Sequence, residues 1–386
     1  MRDLIRRIEA ATPPGRDRAV DALRALAILG VVLGHWLVTA LVEDSGTVHA
    51  ASPLRYLPRL APVSWLFQTL AVFFLVGGLV AAKSHASARA HGARYGQWLG
   101  ARMGRLFRPV VAVLIVWSVA VVAMLAFGAG LETVRALVKL VVSPLWFLLV
   151  FAVLTAATPL AARLHPIWPL LAVALADVVR YGLGGPAGIG WINVVAGWLV
   201  PYCLGAAWAR GDLRSRATGW ALLIGGVAAA TGLVVWAGYP AAMVGVPGAA
   251  VSNLDPPTLA VVAFGLAQCG AVLLLLGPLR RALRRPATWT AVALVNLSAM
   301  TIFLWHQTAM IAVTAIGLLT GPLPGLHTVP DGRGWVLARL AWLPAFALAL
   351  LVCLAAFRVH EQRQPDGRDH AGTERSPRES PVARGA

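Results

Sequence analysis

AVDALRALAILGVVLGHW, residues 19–36, is apolar enough to span a membrane and still contains three ionisable side chains, Asp21, Arg24 and His35. In an α-helix, the step of eleven residues from Arg24 to His35 is three turns plus about 20°, with a rise of about 16 Å. Asp21 points within about 40° of the direction of His35. We therefore expect the three side chains on one face of a helix.

A charged side chain at the centre of a membrane-spanning helix costs about 2.5–3.5 kcal/mol on insertion scales, so such groups usually face a polar cavity. A shared face favours a cavity lined by this helix. In the alternative, no cavity is needed: Arg24 extends toward the membrane surface, and His35 makes a hydrogen bond to a neighbouring helix.

The whole chain has the composition of a membrane protein, with 59% hydrophobic and 13% charged residues among 386. Its apolar runs are long enough to cross about 30 Å of hydrocarbon, at 19–41, 62–82, 108–129, 143–163, 166–180, 190–210, 217–237, 258–277, 290–318 and 335–357. This pattern predicts an all-α, polytopic membrane protein of about ten transmembrane helices. We divide the chain into an N-terminal segment (1–18), a membrane domain (19–360) and a disordered polar tail (361–386).

The basic residues that give the net charge of +17 are distributed unevenly between the two sides of the membrane in the predicted topology. With the N-terminus in the cytoplasm, 25 of the 33 lysines and arginines lie on the cytoplasmic side. This is the positive-inside pattern, and it predicts a multi-pass protein of the cell membrane with both termini cytoplasmic. Because the lipid bilayer accounts for the charge, we expect no nucleic-acid partner.

Other site chemistries lack support in the sequence. The three cysteines stand singly in apolar runs, and the histidines have no metal-ligand spacing, so we expect neither disulfides nor a metal site. No phosphate-binding GxxxxGK[ST] and no GxSxG motif occurs.

The first helix carries the most specific resemblance. DALRALAILGVVLGH, residues 21–35, resembles the first helix of the acyltransferase-3 family of integral membrane acyltransferases, in which a basic residue, ten positions and a histidine follow one another, here Arg24 and His35. RDRAVD, residues 16–21, resembles the Arg-x-x-x-Phe-Asp element of that family, with Val20 in place of phenylalanine.

Later segments extend the resemblance to about residues 16–357. VFFLVGGLVAA, residues 72–82, is similar to the Phe-Phe-x-x-Ser-Gly stretch of the family, with Gly77 where serine is usual. Three further segments match: RMGRLFRP (102–109), PLWFL (144–148) and IFLWHQ (302–307).

The resemblance implies transfer of an acyl group, often acetyl, from cytoplasmic acyl-CoA to a hydroxyl of a carbohydrate or glycosylated acceptor. Acyl-CoA is then a donor substrate, with no permanently bound cofactor. A sugar hydroxyl needs its proton removed during attack, and an imidazole with an unperturbed pKa of about 6.5 suits that task. We expect His35 to be the general base, and a covalent acyl-imidazole remains the alternative.

Basic residues toward the cytoplasm are candidates for donor binding. Arg24 is expected to hold a phosphate or carbonyl of the donor, oriented by Asp21 and Arg16. Arginine pairs well with phosphate oxygens, which makes candidates of three further residues, Arg102, Arg105 and Arg108. Positive-inside topology alone also explains these three.

Two residues are candidates for substrate binding. Trp146 is a platform for a sugar ring or an interfacial tryptophan without a ligand. His306 is a polar lining residue, a second proton-transfer group, or the partner in a hydrogen bond between helices.

Two other function classes stay open: a secondary transporter, and an inactive family member acting as a membrane scaffold. The two halves of the sequence show no matching broken helices, which weakens the transporter. For an acyltransferase, the acceptor candidates are envelope polysaccharide, lipid-linked sugar, peptidoglycan and a glycosylated or macrolide-like metabolite, met directly or through a separate partner protein.

Overall fold

A computed structural model describes residues 2–249 and 251–357 of the chain. It is mostly helical, with about 75% of residues in helices. The predicted tail at 361–386 and the predicted end of the membrane domain at residue 360 lie outside the described residues.

The described residues form sixteen α-helices: α1 Arg2–Ala10, α2 Arg18–Val38, α3 Pro53–Tyr56, α4 Ser64–Phe67, α5 Leu70–Ala90, α6 Tyr95–Ala126, α7 Leu131–Val142, α8 Leu145–Ala156, α9 Thr158–Ala161, α10 Ile167–Asp177, α11 Ile192–Arg210, α12 Arg216–Trp236, α13 Leu259–Ala282, α14 Pro286–Leu297, α15 Ala299–Leu318 and α16 Arg333–Phe357. Short 3₁₀ segments at Pro58–Val63 and Ala187–Trp191 and a π-helical turn at Val178–Gly182 connect some of them.

Within the described ranges, nine segments are long and apolar enough to cross a membrane: Arg18–Val38, Pro58–Ala90, Tyr95–Ala126, Leu131–Ala156, Ala187–Arg210, Arg216–Trp236, Leu259–Ala282, Ala299–Leu318 and Arg333–Phe357. The predicted polytopic helical architecture is confirmed. The count of ten and the cytoplasmic position of the termini stay predictions.

The predicted helix at 166–180 accounts for the difference in number. Its helical part, α10, has only 11 residues, too few to be counted as a span by itself. The segment from Ala162, directly after α9, to Asp177 nevertheless contacts opposite ends of α11. Asn193 donates a hydrogen bond to Asp177 (2.8 Å), while Arg210 donates to the carbonyl of Ala162. The short helix and its flanking turns therefore run antiparallel to α11 along most of its length.

Two predicted helices are interrupted. The run at 62–82 is broken at Gln68–Thr69, between α4 and α5, where the Gln68 side-chain carbonyl accepts a hydrogen bond from Leu70 N (2.9 Å). The run at 290–318 is broken at Ser298, whose φ of −118° leaves the helical region between α14 and α15. Hydropathy averages over such breaks, because a side chain that replaces one helical hydrogen bond leaves the apolar run unchanged.

A β-hairpin departs from the all-α prediction. Strands β1 (Ala40–Asp44) and β2 (Thr47–Ala51) pair in antiparallel register directly after α2, which ends at Val38 and not at residue 41 as predicted. Ser45 and Gly46 have φ values of 53° and 83°, as the turn of a two-residue hairpin requires. Strands of five residues are too short for their alternation to stand out in the sequence.

Glycines allow the central helices to approach closely. A Cβ at Gly78 on α5 would overlap the main-chain carbonyl of Tyr202 on α11, and one at Gly205 on α11 would overlap that of Leu75 on α5. Helices in membranes associate largely by close packing of this kind. The α5–α11 pair forms part of the core against which α2 packs.

Candidate active site

His35 lies near the end of α2, half-buried, where α2 packs on α15. Its Nδ1 is 3.1 Å from Nε2 of Gln307, an α15 residue that is only 2% exposed. In the described part of the chain, the other ring nitrogen of His35 has no hydrogen-bond partner.

His306 completes a pair of histidines. Its ring centre is 5.1 Å from that of His35, and the side chain is fully buried. The His306 Nδ1 donates to the main-chain carbonyl of Phe303 at 2.6 Å, so in the neutral ring the lone pair lies on Nε2. That nitrogen is buried and has no partner among the described side chains and main-chain groups.

Trp36 and Arg339 fix the position of this pair. The Trp36 indole donates to the His306 carbonyl (3.0 Å), and Arg339 donates to the carbonyl of Trp36 (2.6 Å). Arg339 also donates to the carbonyls of Thr39 (2.6 Å) and Gly325 (3.0 Å) and is 1% exposed. A cation suits the unpaired carbonyls at the C-terminal end of a helix.

Sequence reasoning missed Arg339 as a site residue. The structure places it inside the protein, on α16. The one available signal was an arginine within a predicted span, which usually faces the interior of the bundle.

At the opposite end of α2, Arg16 and Asp21 form a bidentate ion pair, with distances of 2.6 and 3.0 Å. The Asp21 carbonyl accepts from Asn296 on α14 (2.7 Å), which ties the start of α2 to its neighbour. Asp17 caps α2 and pairs with Arg280 (2.7 Å). Partial burial opposes ionisation of Asp17, but the hydrogen bond and charge of Arg280, together with main-chain hydrogen bonds from Ala19 and Val20, outweigh it and lower the pKa of this carboxyl.

Three of the predicted arginines lie together near this end. The guanidinium of Arg102 is within electrostatic range of Arg24 and of Arg105, and both positive charges repel it. Arg102 donates to the Val80 carbonyl (3.3 Å) and lies 5.4 Å from the centre of the Trp98 ring. Its Nε is buried with no partner in the described part of the chain. Such a group can receive an anion.

Arg108 is not part of the cluster of Arg24, Arg102 and Arg105. It is exposed on α6, and within residues 2–249 and 251–357 no hydrogen bond or ion pair is found for it. Arg105 is also exposed, and its side chain donates to the carbonyl of Ala101, one turn earlier on α6 (3.2 Å).

Trp146 begins an aromatic series that reaches the histidines. Half-buried on α8, it lies 6.4 Å from Trp198 and 6.3 Å from Phe147. Phe147 is 5.5 Å from Phe303, which is 6.1 Å from His306. The structure thus connects the predicted platform to the histidine pair through two phenylalanine rings.

The structure gives a reason for Gly77 in the stretch where serine is usual. A Cβ at this position would lie 2.5 Å from Cε2 of Phe151. The Phe151 ring packs 5.2 Å from Phe73 and 6.4 Å from Phe147. This aromatic ring occupies the space that a serine side chain would need.

A metal ion has no evident set of ligands here: within the part of the chain that the structure describes, no three His, Cys, Asp or Glu side chains come together as a metal site.

These features define a polytopic membrane protein with a partly buried histidine pair and a separate cluster of arginines on α2 and α6. The chain belongs to the acyltransferase-3 family, whose model, an acyltransferase domain, matches residues 17–358. Membership makes the protein an acyltransferase, in agreement with the resemblance of its first helix. Comparisons with curated proteins and with solved structures each gave no match.

Proposed function

We propose that this protein is an O-acyltransferase of the cell membrane that moves an acyl group, in the first case acetyl, from cytoplasmic acyl-CoA to a hydroxyl of a carbohydrate or glycosylated acceptor. The observation that carries the proposal is the imidazole of His35, half-buried beside Gln307 and His306 and on the same helix as Arg24. Both chain termini face the cytoplasm in this proposal.

The arginine cluster supplies the donor site. Arg24, Arg102 and Arg105 concentrate positive charge, and the buried Nε of Arg102 offers an unused donor. Arginine binds phosphate through charge-assisted hydrogen bonds. The rise of about 16 Å from Arg24 to His35 is comparable to an extended pantetheine arm. Arg16 and Asp21 act by holding the start of α2, and Arg108 supplies charge at the entrance.

In the proposed reaction, the acceptor hydroxyl oxygen attacks the thioester carbonyl carbon while His35 takes the hydroxyl proton. The new C–O ester bond forms, the C–S bond breaks, and the imidazolium returns the proton to the departing thiolate of CoA. General base catalysis of this kind contributes about 10²- to 10⁴-fold. In the alternative, His35 attacks the thioester itself, and the acyl-imidazole is then cleaved by the hydroxyl.

His306 and Trp146 serve the acceptor in this proposal. The unpartnered Nε2 of His306 accepts a hydrogen bond from a hydroxyl group, which makes it a complement to a sugar. Trp146 offers an aromatic face next to Trp198. The acceptor is envelope polysaccharide, lipid-linked sugar, peptidoglycan or a glycosylated metabolite, reached directly or through a partner protein.

The test follows release of the CoA thiol and formation of the acylated product in membranes given acetyl-CoA and envelope extract. The wild type is compared with His35→Ala and with His91→Ala at matched abundance. His91 is exposed, and its ring bonds to the Ser87 carbonyl of its own helix (2.8 Å) and to no other group among the described residues, so its loss controls for removal of an imidazole.

We expect acceptor-dependent release in the wild type and His91→Ala, and its loss in His35→Ala. Equal rates in all three proteins would contradict the role of His35 and favour a family member acting as a scaffold. No consumption of acetyl-, propionyl- or succinyl-CoA by the wild type would contradict the proposed reaction.

Transport is the second candidate, and the two interrupted helices favour it. The breaks at Gln68–Thr69 and at Ser298 both belong to segments that pack on α2. Discontinuous helices line the solute sites of many secondary transporters. Solute uptake into vesicles without acyl-CoA consumption would support transport over acyl transfer.

A further inference from the structure

We infer that Gln307 is a positioning residue that determines which nitrogen of His35 carries the proton and so makes the imidazole a base at Nε2. The inference rests on the proposed acyl transfer. Its basis is the contact of the Gln307 amide with His35 Nδ1 at 3.1 Å, in a place where Gln307 is only 2% exposed.

The contact has two forms, because the nitrogen and oxygen of a side-chain amide exchange places when the group rotates by about 180°. With the NH₂ group toward His35, the amide donates to Nδ1, and the ring proton lies on Nε2. With the carbonyl toward His35, Oε1 accepts from Nδ1–H, and the lone pair lies on Nε2. Only in the second form can His35 take a proton at Nε2, the nitrogen that Gln307 does not contact.

The charge that develops on His35 favours the carbonyl form during catalysis. The amide atom that points away from His35, Oε1, is buried and has no partner among the described residues, so no second hydrogen bond fixes the amide in either orientation. Once His35 has taken a proton, both ring nitrogens are donors. An amide carbonyl then stabilises the charged ring, whereas an NH₂ group would repel it.

His306 provides a contrast within the same pair. Its Nδ1 bonds to a main-chain carbonyl, that of Phe303, which cannot rotate, so its proton stays on Nδ1. Trp36 and Arg339 hold the backbone around both histidines. The Gln307 amide is therefore the group at the pair that can change the tautomer of one histidine without moving a helix.

A purely structural role for Gln307 makes a different prediction, because a hydrogen bond between helices contributes only to stability. The pH profile of kcat separates the two roles. Gln307→Glu keeps the size of the side chain but offers only acceptors and a negative charge to Nδ1–H. The charged imidazolium becomes more stable, so the acid limb of the kcat profile moves to higher pH.

Gln307→Met removes the polar partner and keeps much of the volume. We expect kcat to fall by about 10- to 100-fold, the range found when hydrogen-bond partners that orient metal-binding histidines are removed. KM for acetyl-CoA should change little, because Gln307 contacts His35 and not the arginine cluster.

Gln268→Met is the matched control. Gln268 also places an amide in an apolar helix, α13, and donates to the main-chain carbonyl of Gln68. Its loss removes a comparable hydrogen bond that involves neither His35 nor His306. We expect a lower unfolding temperature in detergent but a wild-type pH profile.

The outcomes separate this inference from the proposed function. If the wild type does not transfer acyl groups, or does so without His35, the proposed function fails. If transfer depends on His35 but the folded Gln307→Glu protein keeps the wild-type acid limb, or is inactive at every pH, the inference is overturned. The nearly isosteric glutamate variant decides the question even if the methionine variant does not fold.

Discussion

Replacing Arg339 by methionine removes the cation that holds the end of α2 beside the histidine pair. Three main-chain carbonyls, of Trp36, Thr39 and Gly325, lose their donors at distances of 2.6, 2.6 and 3.0 Å. Each buried carbonyl left unsatisfied costs about 1–3 kcal/mol. The methionine variant also avoids the cost of burying a charged guanidinium, which offsets several kcal/mol of that sum.

We expect a net loss of about 2–4 kcal/mol in the free energy of unfolding. The apparent unfolding temperature in detergent should fall by about 2–5 °C. Transfer activity should fall further than the amount of folded protein, because the carbonyl of Trp36, next to His35, loses its anchor. Arg339→Lys keeps one cation without the planar fork, so its unfolding temperature should lie between the two.

Arg333→Met is the control, since Arg333 is exposed at the start of the same helix. Its unfolding temperature should match that of the wild type. If Arg339→Met unfolds within about 1 °C of Arg333→Met, the three hydrogen bonds do not carry the stability assigned to them here.

Three further predictions follow from packing, charge and pH. Gly78→Ala should destabilise the protein by at least about 1–3 kcal/mol, because its methyl group would overlap the carbonyl of Tyr202, and thermal unfolding measures this. Arg102→Gln should raise KM for acetyl-CoA about tenfold or more with kcat nearly unchanged, as expected when a charge-assisted bond to the donor is lost. Asp17→Asn should flatten the pH dependence of stability below about pH 4. The lowered pKa of Asp17 means that its pair with Arg280 stabilises the fold above the unfolded pKa and is lost as pH falls through the folded one.

Each of the three has a control in the same chain. Gly225 has open space around its Cβ position, so Gly225→Ala should not destabilise α12. Arg89→Gln removes an exposed cation from α5 and should leave KM unchanged. Asp3→Asn removes an exposed carboxylate, 83% accessible, and should leave the acid unfolding curve unchanged. Equal effects of any control and its test variant would contradict the corresponding reasoning.

The sequence predicted the membrane class and the family because both depend on local patterns: long apolar runs, and a basic residue and a histidine on one helix. It also named both histidines, but it offered no means of placing them together. His35 and His306 are on different helices, and their contact depends on how α2 packs on α15. Helix packing follows from shape along the whole interface, which a single sequence does not display.

What the sequence analysis missed, the role of Arg339 and the two helix breaks, also depends on contacts between distant parts of the chain or on backbone hydrogen bonding. Arg339 was not named as a site residue because its position near the start of the predicted run at 335–357 is compatible with an exposed side chain. The three carbonyls that bind it come from α2 and from the loop before α16. Breaks at Gln68–Thr69 and Ser298 escaped notice because hydropathy measures apolar character and not whether each backbone group finds its helical partner.

Helix α2 is fastened at both ends, by Arg280 and Asn296 at the start and by Arg339 at the end. In the proposed reaction, the distance between the donor's phosphates and the base is therefore constant, and every acyl-CoA presents its sulfur at the same depth in the membrane. Discrimination between short and long acyl chains must then arise beyond the thioester. Phe303 contacts both Phe147 and His306, and in the proposed reaction we expect these aromatic rings to meet the acyl chain first.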